Sequence, residues 1–243
     1  MSMGMKLQYL SMNNNEINDL YNYGYKIVQN KDYFKFSLDS ILLADFVKVN
    51  YTDKKMLDLC TGNAPIPIIL SSKIKEIYGI EIQKDVYEMA TESIKINNIK
   101  NVKIINDNVK NWSNYFPEND FDIITCNPPY FKYSSSSIIN ENMIKSIARH
   151  EIEINLEEIV RITSKLLKDK GRFILVHHSE RLIEIINLLQ KYKFGIKKLE
   201  FAYHDYNSNC NIVLIESMKN GKNNCIVEKP LITKNYRGDI IWN

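Results

Sequence analysis

Residues 121–130, Phe-Asp-Ile-Ile-Thr-Cys-Asn-Pro-Pro-Tyr, constrain this chain more than any other stretch. The run from Phe121 to Cys126 is short and apolar, as a buried strand is, and it stops abruptly at Asn127 and two prolines. Pro128 and Pro129 have no backbone N–H and fix their own φ, so the ladder cannot continue, and each pushes the residue before it into an extended conformation. The strand therefore ends in a stiff loop. That loop offers the Asn127 amide, carbonyl oxygens with no competing N–H groups, and the aromatic plane of Tyr130.

Around this stop, the hydrophobic period switches repeatedly between two and 3.6. Strands are expected at residues 25–29, 56–60, 77–82, 102–105, 121–126, 172–177, 201–203, 211–216 and 226–231, and helices start or run at residues 37–47, 68–70, 84–97, 156–167 and 181–192. Residues 1–24 are polar and Asn-rich and give no clear period. Strands alternating with helices of this length predict an α/β fold built on a doubly wound, mostly parallel sheet, closed by antiparallel strands at its carboxyl-terminal end. Residues 1–50 read as a lead-in of a strand and a helix, and residues 51–243 as the main domain.

A chain of 243 residues, 44% hydrophobic, can bury one sizeable core. It carries no apolar run long enough to span a bilayer and no signal-type start, so a cytoplasmic protein is expected. Cys60, Cys126, Cys210 and Cys225 are far apart in sequence and read as reduced thiols that hold no metal. The net charge of +3 does not by itself announce a nucleic-acid binder. The excess of basic groups falls after residue 170, however, and includes Lys219, Lys222, Lys229, Lys234 and Arg237.

Ligands of doubly wound sheets gather outside the carboxyl ends of the strands. Asp58 with Gly62, Glu81, Asp107 and Asn127 fall at four successive strand ends and converge on one edge. Gly62 allows a sharp turn and a close backbone approach, and Asp58 can hold that loop or accept from a ligand. Glu81, at the next strand end, can accept from two ribose hydroxyls, a placement shared with NAD-binding proteins, or can cap the following helix. Asp107, between Asn106 and Asn108, can accept from an adenine amino group or close an Asx-turn. At Asn127 the chemistry is more specific. An exocyclic amine delocalises its lone pair into the ring and attacks poorly. The Asn127 side-chain oxygen and the Pro128 carbonyl, both acceptors, would hold its hydrogens and favour a pyramidal nitrogen, while Tyr130 stacks on the ring.

The Asn-Pro-Pro-Tyr tetrapeptide and the loop at 58–64 resemble the amino-methyltransferases that use S-adenosylmethionine. Residues 29–46, 58–62, 127–130, the Ala-Arg-His-Glu stretch at 148–151, and residues 171–176 and 215–222 narrow the resemblance. Together they are similar to the bacterial tRNA adenine-37 N6-methyltransferases. The resemblance covers nearly everything after residue 20 and implies a class I methyltransferase (Rossmann-like) fold with a seven-stranded sheet. It implies S-adenosylmethionine held by Asp58, Cys60, Gly62, Glu81, Asp107 and Asn127, with Phe36 and Asp39 covering it. The catalytic group would be Asn127, Pro128, Pro129 and Tyr130, and the partner a tRNA anticodon stem-loop, its phosphates met by the basic tail. Cys60 and Ala64 depart from the pattern, standing where the family loop carries glycines. No metal is expected and no histidine among His150, His177, His178 and His204 is assigned a role, since transfer from a sulfonium needs neither a metal nor a strong base. Release-factor glutamine-N5 methyltransferases share the tetrapeptide but resemble proteins with a helical domain in front, for which the 55 residues before the first central strand look too few. The remaining alternatives are an rRNA or DNA amino-methyltransferase, a nicotinamide-dependent oxidoreductase and a catalytically idle RNA-binding relative.

Overall fold

The computed structural model describes residues 15–20, 23–30, 37–128 and 154–234. A two-stranded antiparallel hairpin, β1 (Asn15–Asp19) and β2 (Lys26–Asn30), leads into helix α1 (Leu38–Phe46). The central unit follows as β3 (Lys55–Leu59), α2 (Pro65–Leu70), β4 (Glu76–Glu81), α3 (Lys84–Ile96), β5 (Val102–Asn106), a 3-10 turn at Val109–Asn114 and β6 (Phe121–Cys126). Helix α4 (Leu156–Leu166), β7 (Leu167–His178), α5 (Leu182–Lys191), β8 (Phe194–Tyr203), β9 (Cys210–Lys219), β10 (Ile226–Val227) and β11 (Leu231–Ile232) complete it. Phe36, Pro129, Tyr130, the stretch at 148–151 with His150, and Arg237 lie outside the described residues.

The sheet runs β5-β4-β3-β6-β7-β9-β8, with β10 and β11 both pairing with the outer side of β8. Every pairing from β5 to β7 is parallel, and β9 alone runs against its neighbours β7 and β8. The seven long strands are those expected. Two further strands of two residues each raise the total in this sheet to nine, and they run parallel to β8. β8 itself spans ten residues where the sequence suggested only its last three, because Lys197, Lys198 and Glu200 interrupt its apolar run.

Strands covered on both faces read as near-continuous apolar runs, because alternate side chains enter two different cores. Met56, Ile123, Ile174 and Leu214 face a layer made by α1, α2 and α3; Leu57, Leu59, Ile124, Phe173 and Ile215 face α4 and α5. Phe121 opens β6 fully buried and meets Tyr78 and Phe116 edge to face, centroids 6.1 and 4.9 Å away. Such ring pairs contribute about 1 kcal/mol each beyond the area they bury. They anchor β6 at its start, so its other end projects Asn127 from a fixed base.

The lead-in is sewn onto the central unit. Val28 donates its N–H to Ser93 Oγ of α3 at 2.9 Å, Asn97 of α3 exchanges bonds with both backbone groups of Lys26, and Leu20 and Ile27 enter the α1 to α3 core. Helix α4 is amphipathic and opens with a full capping box, Asn155 accepting from the Glu158 N–H and Glu158 from that of Asn155. No helix among the described residues is long and apolar enough to cross a membrane.

Candidate active site

The loop after β3 is shaped by three residues in the left-handed region: Cys60 at φ 57°, Gly62 at φ 59° and Ala64 at φ 67°. Only glycine takes this conformation without strain, and for other residues it costs roughly 1–2 kcal/mol each. Cys60 and Ala64 thus adopt the backbone that glycine would take at the same places. The loop is held by Thr61 N–H donating to the Ile80 carbonyl at 3.0 Å, by Asn63 donating to the Val28 carbonyl at 3.1 Å, and by Pro65, which starts α2 at its first position. A Cβ built on Gly62 would meet nothing within 4 Å, so the loop presents its bare backbone to open space.

Asp58 lies beneath this loop at 0% exposure. It pairs in register with Thr125 of β6 on one side and Gly79 of β4 on the other. Thr125 and Thr61 each donate a hydroxyl to one of its oxygens at 2.6 Å. Gly79 makes this possible: a Cβ there would stand 2.9 Å from the Thr61 side chain and 2.8 Å from Ile104. Burial pushes the Asp58 carboxyl up to about 7, the two hydroxyl bonds pull it down, and the charge of Glu81 pushes it up. Of the two roles expected for Asp58, holding the loop is the one this geometry provides. A carboxylate with no exposed surface, both oxygens taken by threonines, does not reach a ligand directly.

Glu81 ends β4 at 5% exposure. Its Oε2 accepts the Gly62 N–H and its Oε1 the Gln83 N–H, each at 2.9 Å, so the carboxylate ties the loop after β3 to the strand beside it. Burial raises its proton affinity against the pull of those amide bonds. The Ile82 N–H and the Gln83 side chain also bond this carboxylate, so it is held at the strand end from several sides. Asp107, just past β5, is engaged as well. Its Oδ1 accepts from the Asn108 N–H at 2.7 Å and Asn111 Nδ2 at 2.8 Å, and its Oδ2 accepts the Tyr115 hydroxyl at 2.6 Å. Tyr115 first, then Asn111, holds its carboxyl below the usual range. The local turn is therefore built, and an adenine amine would have to share Oδ2.

Asn127 leaves β6 one residue past the Leu59 and Cys126 pairing. Its Nδ2 donates to Ser40 Oγ at 2.8 Å and lies 3.4 Å from Ser37 Oγ, both at the start of α1. Pro128 behind it is buried. Asp39, in the first turn of the same helix, is partly exposed. Cys60 touches the fully buried Cys126, whose thiol is pushed up by burial and then by its Cys60 neighbour; both remain free thiols. Gly62, Glu81 and Asn127 thus share one sheet edge, and Asp107 lies at its far end. At about 4.8 Å between strands, the four ends from β6 to β5 span about 14 Å.

Thr61, Thr125, Gly79, Ser37 and Ser40 escaped the sequence reading. All but Thr61, which bonds Asp58 three residues before it, work across strands or elements distant in sequence, which periodicity does not register. His177 is buried and its Nδ1 accepts the His178 N–H at 2.8 Å; burial and then Arg181 push it down to about 4. His204 is exposed at the end of β8. The basic tail divides. Lys219 donates to the carbonyl of Leu167, the first residue of β7, at 2.7 Å, and to Asn119, while the Lys222 carbonyl accepts from Lys197 near the start of β8. Both sit at the amino ends of the parallel strands, about 20 Å from Asn127, the length of β6. Any phosphate these two lysines meet would therefore lie on the edge away from Asn127. Lys234, whose N–H donates to the His204 carbonyl, lies on the Asn127 edge instead.

Comparison with known proteins agrees with this architecture. The tRNA1(Val) (adenine(37)-N6)-methyltransferase of Cytophaga hutchinsonii is 24% identical over 186 residues, 74% of each chain, and that of Flavobacterium psychrophilum 22% over 235 residues, 87% of this chain and 93% of its own. A release factor glutamine methyltransferase of Thermodesulfovibrio yellowstonii is 31% identical over 129 residues, 52% of this chain and 45% of its own. Among solved structures, a predicted O-methyltransferase from Agrobacterium tumefaciens superposes with a TM-score of 0.63 at 18% identity, over 80% of this chain and 87% of that one. TYW2 of M. jannaschii, solved with AdoMet, gives 0.57 at 17% identity, over 85% and 86%. With residues 51–228 matching the methyltransferase domain, the chain belongs to that methyltransferase family.

Proposed function

We propose that the protein transfers a methyl group from S-adenosylmethionine to N6 of an adenine in tRNA, at position 37 beside the anticodon, in the cytoplasm. The observation that carries this reading is Asn127, fixed at the carboxyl end of β6 with its amide nitrogen turned to Ser40. A planar amide turned that way points its carbonyl oxygen to the opposite side, where an exocyclic amine needs an acceptor. The relatives that match most of the chain bear the same activity in their names.

The residues present fit S-adenosylmethionine. Gly62 exposes backbone toward open space, and Glu81, at the end of the neighbouring strand, is the carboxylate placed to accept from the ribose hydroxyls. When bound, the cofactor supplies a methyl group made electrophilic by its sulfonium. Asn127 and the Pro128 carbonyl hold the two hydrogens of the acceptor amine and draw its lone pair out of conjugation. Such acceptors gain strength as positive charge develops on nitrogen, so they act mainly in the transition state. The methylated nitrogen is cationic and acidic, so its extra proton leaves to water and the lone pair returns to the ring. Asp58, Thr61 and Thr125 keep the loop and β6 in fixed relation, which keeps both substrates aligned.

Lys229 and Lys234, on the segment that climbs the outer side of β8 toward this edge, supply phosphate contacts in this reading. A loop base is partly unstacked already and needs little extrusion. The test is incubation with methyl-labelled S-adenosylmethionine and tRNA lacking its own modifications, followed by nucleoside analysis, with release factor in parallel. N6-methyladenosine at position 37 is the expected product. Labelled release factor with unlabelled tRNA would overturn the tRNA assignment while leaving amino-group chemistry in place.

A further inference from the structure

We infer that Ser40, assisted by Ser37, is a positioning residue for methyl transfer: its hydroxyl holds the Asn127 side chain at the one setting from which its amide meets the acceptor amine. The inference rests on the role proposed for Asn127. A side-chain amide turns about its last bond unless a neighbour bonds one end of it, and transfer needs the group held at one angle. A reversed Asn127 would present donors to an amine that already carries hydrogens. That arrangement repels the substrate nitrogen and cannot help it become pyramidal.

Both serines place their oxygens against the nitrogen end. Ser40 Oγ accepts at 2.8 Å from inside the first turn of α1, where the residue is 7% exposed and shielded from competing water. Ser37 Oγ stands at 3.4 Å. Ser37 also occupies the N-cap position of α1, yet its side chain makes no capping bond. Serine at that position ordinarily turns its oxygen back onto the helix amides and stabilises the first turn. Here a serviceable cap is left unmade, and the hydroxyl faces Asn127, 90 residues away in sequence. Helix α1 is held by its buried face, with Ile41, Leu42, Leu43, Ala44 and Phe46 all in the core, so it stands without the cap. The lead-in thus reaches the acceptor side of the reaction as well as the cofactor side suggested by sequence.

The experiment is a double-mutant cycle in single-turnover methyl transfer to unmodified tRNA, with S-adenosylmethionine affinity measured by titration calorimetry. Ser40→Ala is expected to slow transfer about tenfold, to change cofactor affinity less than twofold, and to be largely rescued in Ser40→Thr, which restores the hydroxyl. The decisive variant is Ser40→Ala combined with Asn127→Ala, expected to be no slower than Asn127→Ala alone. A purely structural serine would slow both backgrounds equally, and that result, or a parental rate for Ser40→Ala, overturns the inference while Asn127 keeps its role. If Asn127→Ala itself transfers at the parental rate, the reading of the site falls and the inference with it. Should Ser40→Ala not fold, Ser37→Ala, at a partly exposed position, runs the same cycle with an expected loss of about threefold, and additivity there is equally fatal.

Discussion

Two aspartates on neighbouring strands show how differently the two ends of this sheet are built. Asp122, the second residue of β6, lies at the amino ends of the strands. There it accepts the N–H groups of Lys54 and Lys55 at 2.9 Å each and Lys168 Nζ at 2.7 Å. Burial pushes its carboxyl up, but Lys168 and the two amides together hold it below the ordinary range. Asp58, in β3 near the carboxyl ends, is bonded among the described residues to two threonine hydroxyls and to no cation, and is pushed up to about 7. Around Asp122 stand the partly exposed pairs Lys55 with Asp120 and Lys165 with Glu118. Such pairs contribute little each, because solvent screens them. At the amino end carboxylates are paired with cations, the buried Asp53 and Glu216 with the buried Arg172 among them. The carboxyl end buries Asp58 and Glu81 without such a cation, at the edge where doubly wound sheets hold their ligands.

The largest expected effect breaks the active edge itself. Asn127→Ala should lower methyl transfer by about a hundredfold or more, about 3 kcal/mol of transition-state stabilisation, while calorimetry finds cofactor affinity nearly unchanged. An equal fall in affinity would move Asn127 to the structural side of the comparison.

The two aspartates should then give opposite pH dependences. A carboxyl raised in the folded state binds a proton that the unfolded chain has lost, so Asp58 adds stability that is complete below about 4 and disappears as pH rises through about 7. Urea unfolding of the parent should lose a few kcal/mol between pH 4 and 8, and Asp58→Asn should flatten most of that slope. Glu81, also raised, contributes with the same sign and accounts for a remainder. For Asp122, lowered in the folded state, the stabilisation is present above 3.8 and is lost as pH falls below it. Asp122→Asn should therefore be less stable than the parent at neutral pH and converge with it in acid. A parallel response of the two variants would erase the distinction.

Smaller again is Glu81→Ala, expected to weaken S-adenosylmethionine binding about tenfold, near 1.4 kcal/mol, because it removes acceptors for two hydroxyls. Unchanged affinity in a folded variant would leave Glu81 only its bond to Gly62. The smallest effect sharpens the comparison from the other end. Lys219→Glu with Lys222→Glu should change tRNA methylation less than about twofold across a salt series, since these lysines sit on the far edge. A steep loss would mean that RNA wraps the amino ends of the strands.

The fold was largely legible because strands such as 56–60 and 121–126 are apolar on two faces at once, and only a covered parallel sheet makes that pattern. The positions of Gly62, Glu81 and Asn127 on one edge followed from the same topology. What escaped depends on register. Thr125 reaches Asp58 only because the two are paired across β6 and β3, and Ser40 reaches Asn127 only because α1 packs over that strand end. β1 was missed because its residues are polar, and its pairing with β2 supplies what its composition lacks. The edge on which Lys219 stands was not legible for a related reason. Charge counted along a chain does not tell which end of a strand it occupies, and β9 runs opposite to its neighbours.

The two-residue strands β10 and β11 have a consequence for the life of the protein in a crowded solution. An outer strand as long as β8 would otherwise display an unpaired row of amides and carbonyls on which a second molecule could nucleate. Segments this short occupy part of that row without forming a continuous strand of their own, and Pro230 lies between them with no N–H to donate. Ile226 and Val227, 61% and 60% exposed, are the sticky part of this cover, flanked by Glu228 and Lys229. The far end of the chain thus acts as a selvedge, finishing a sheet that would otherwise fray into aggregates.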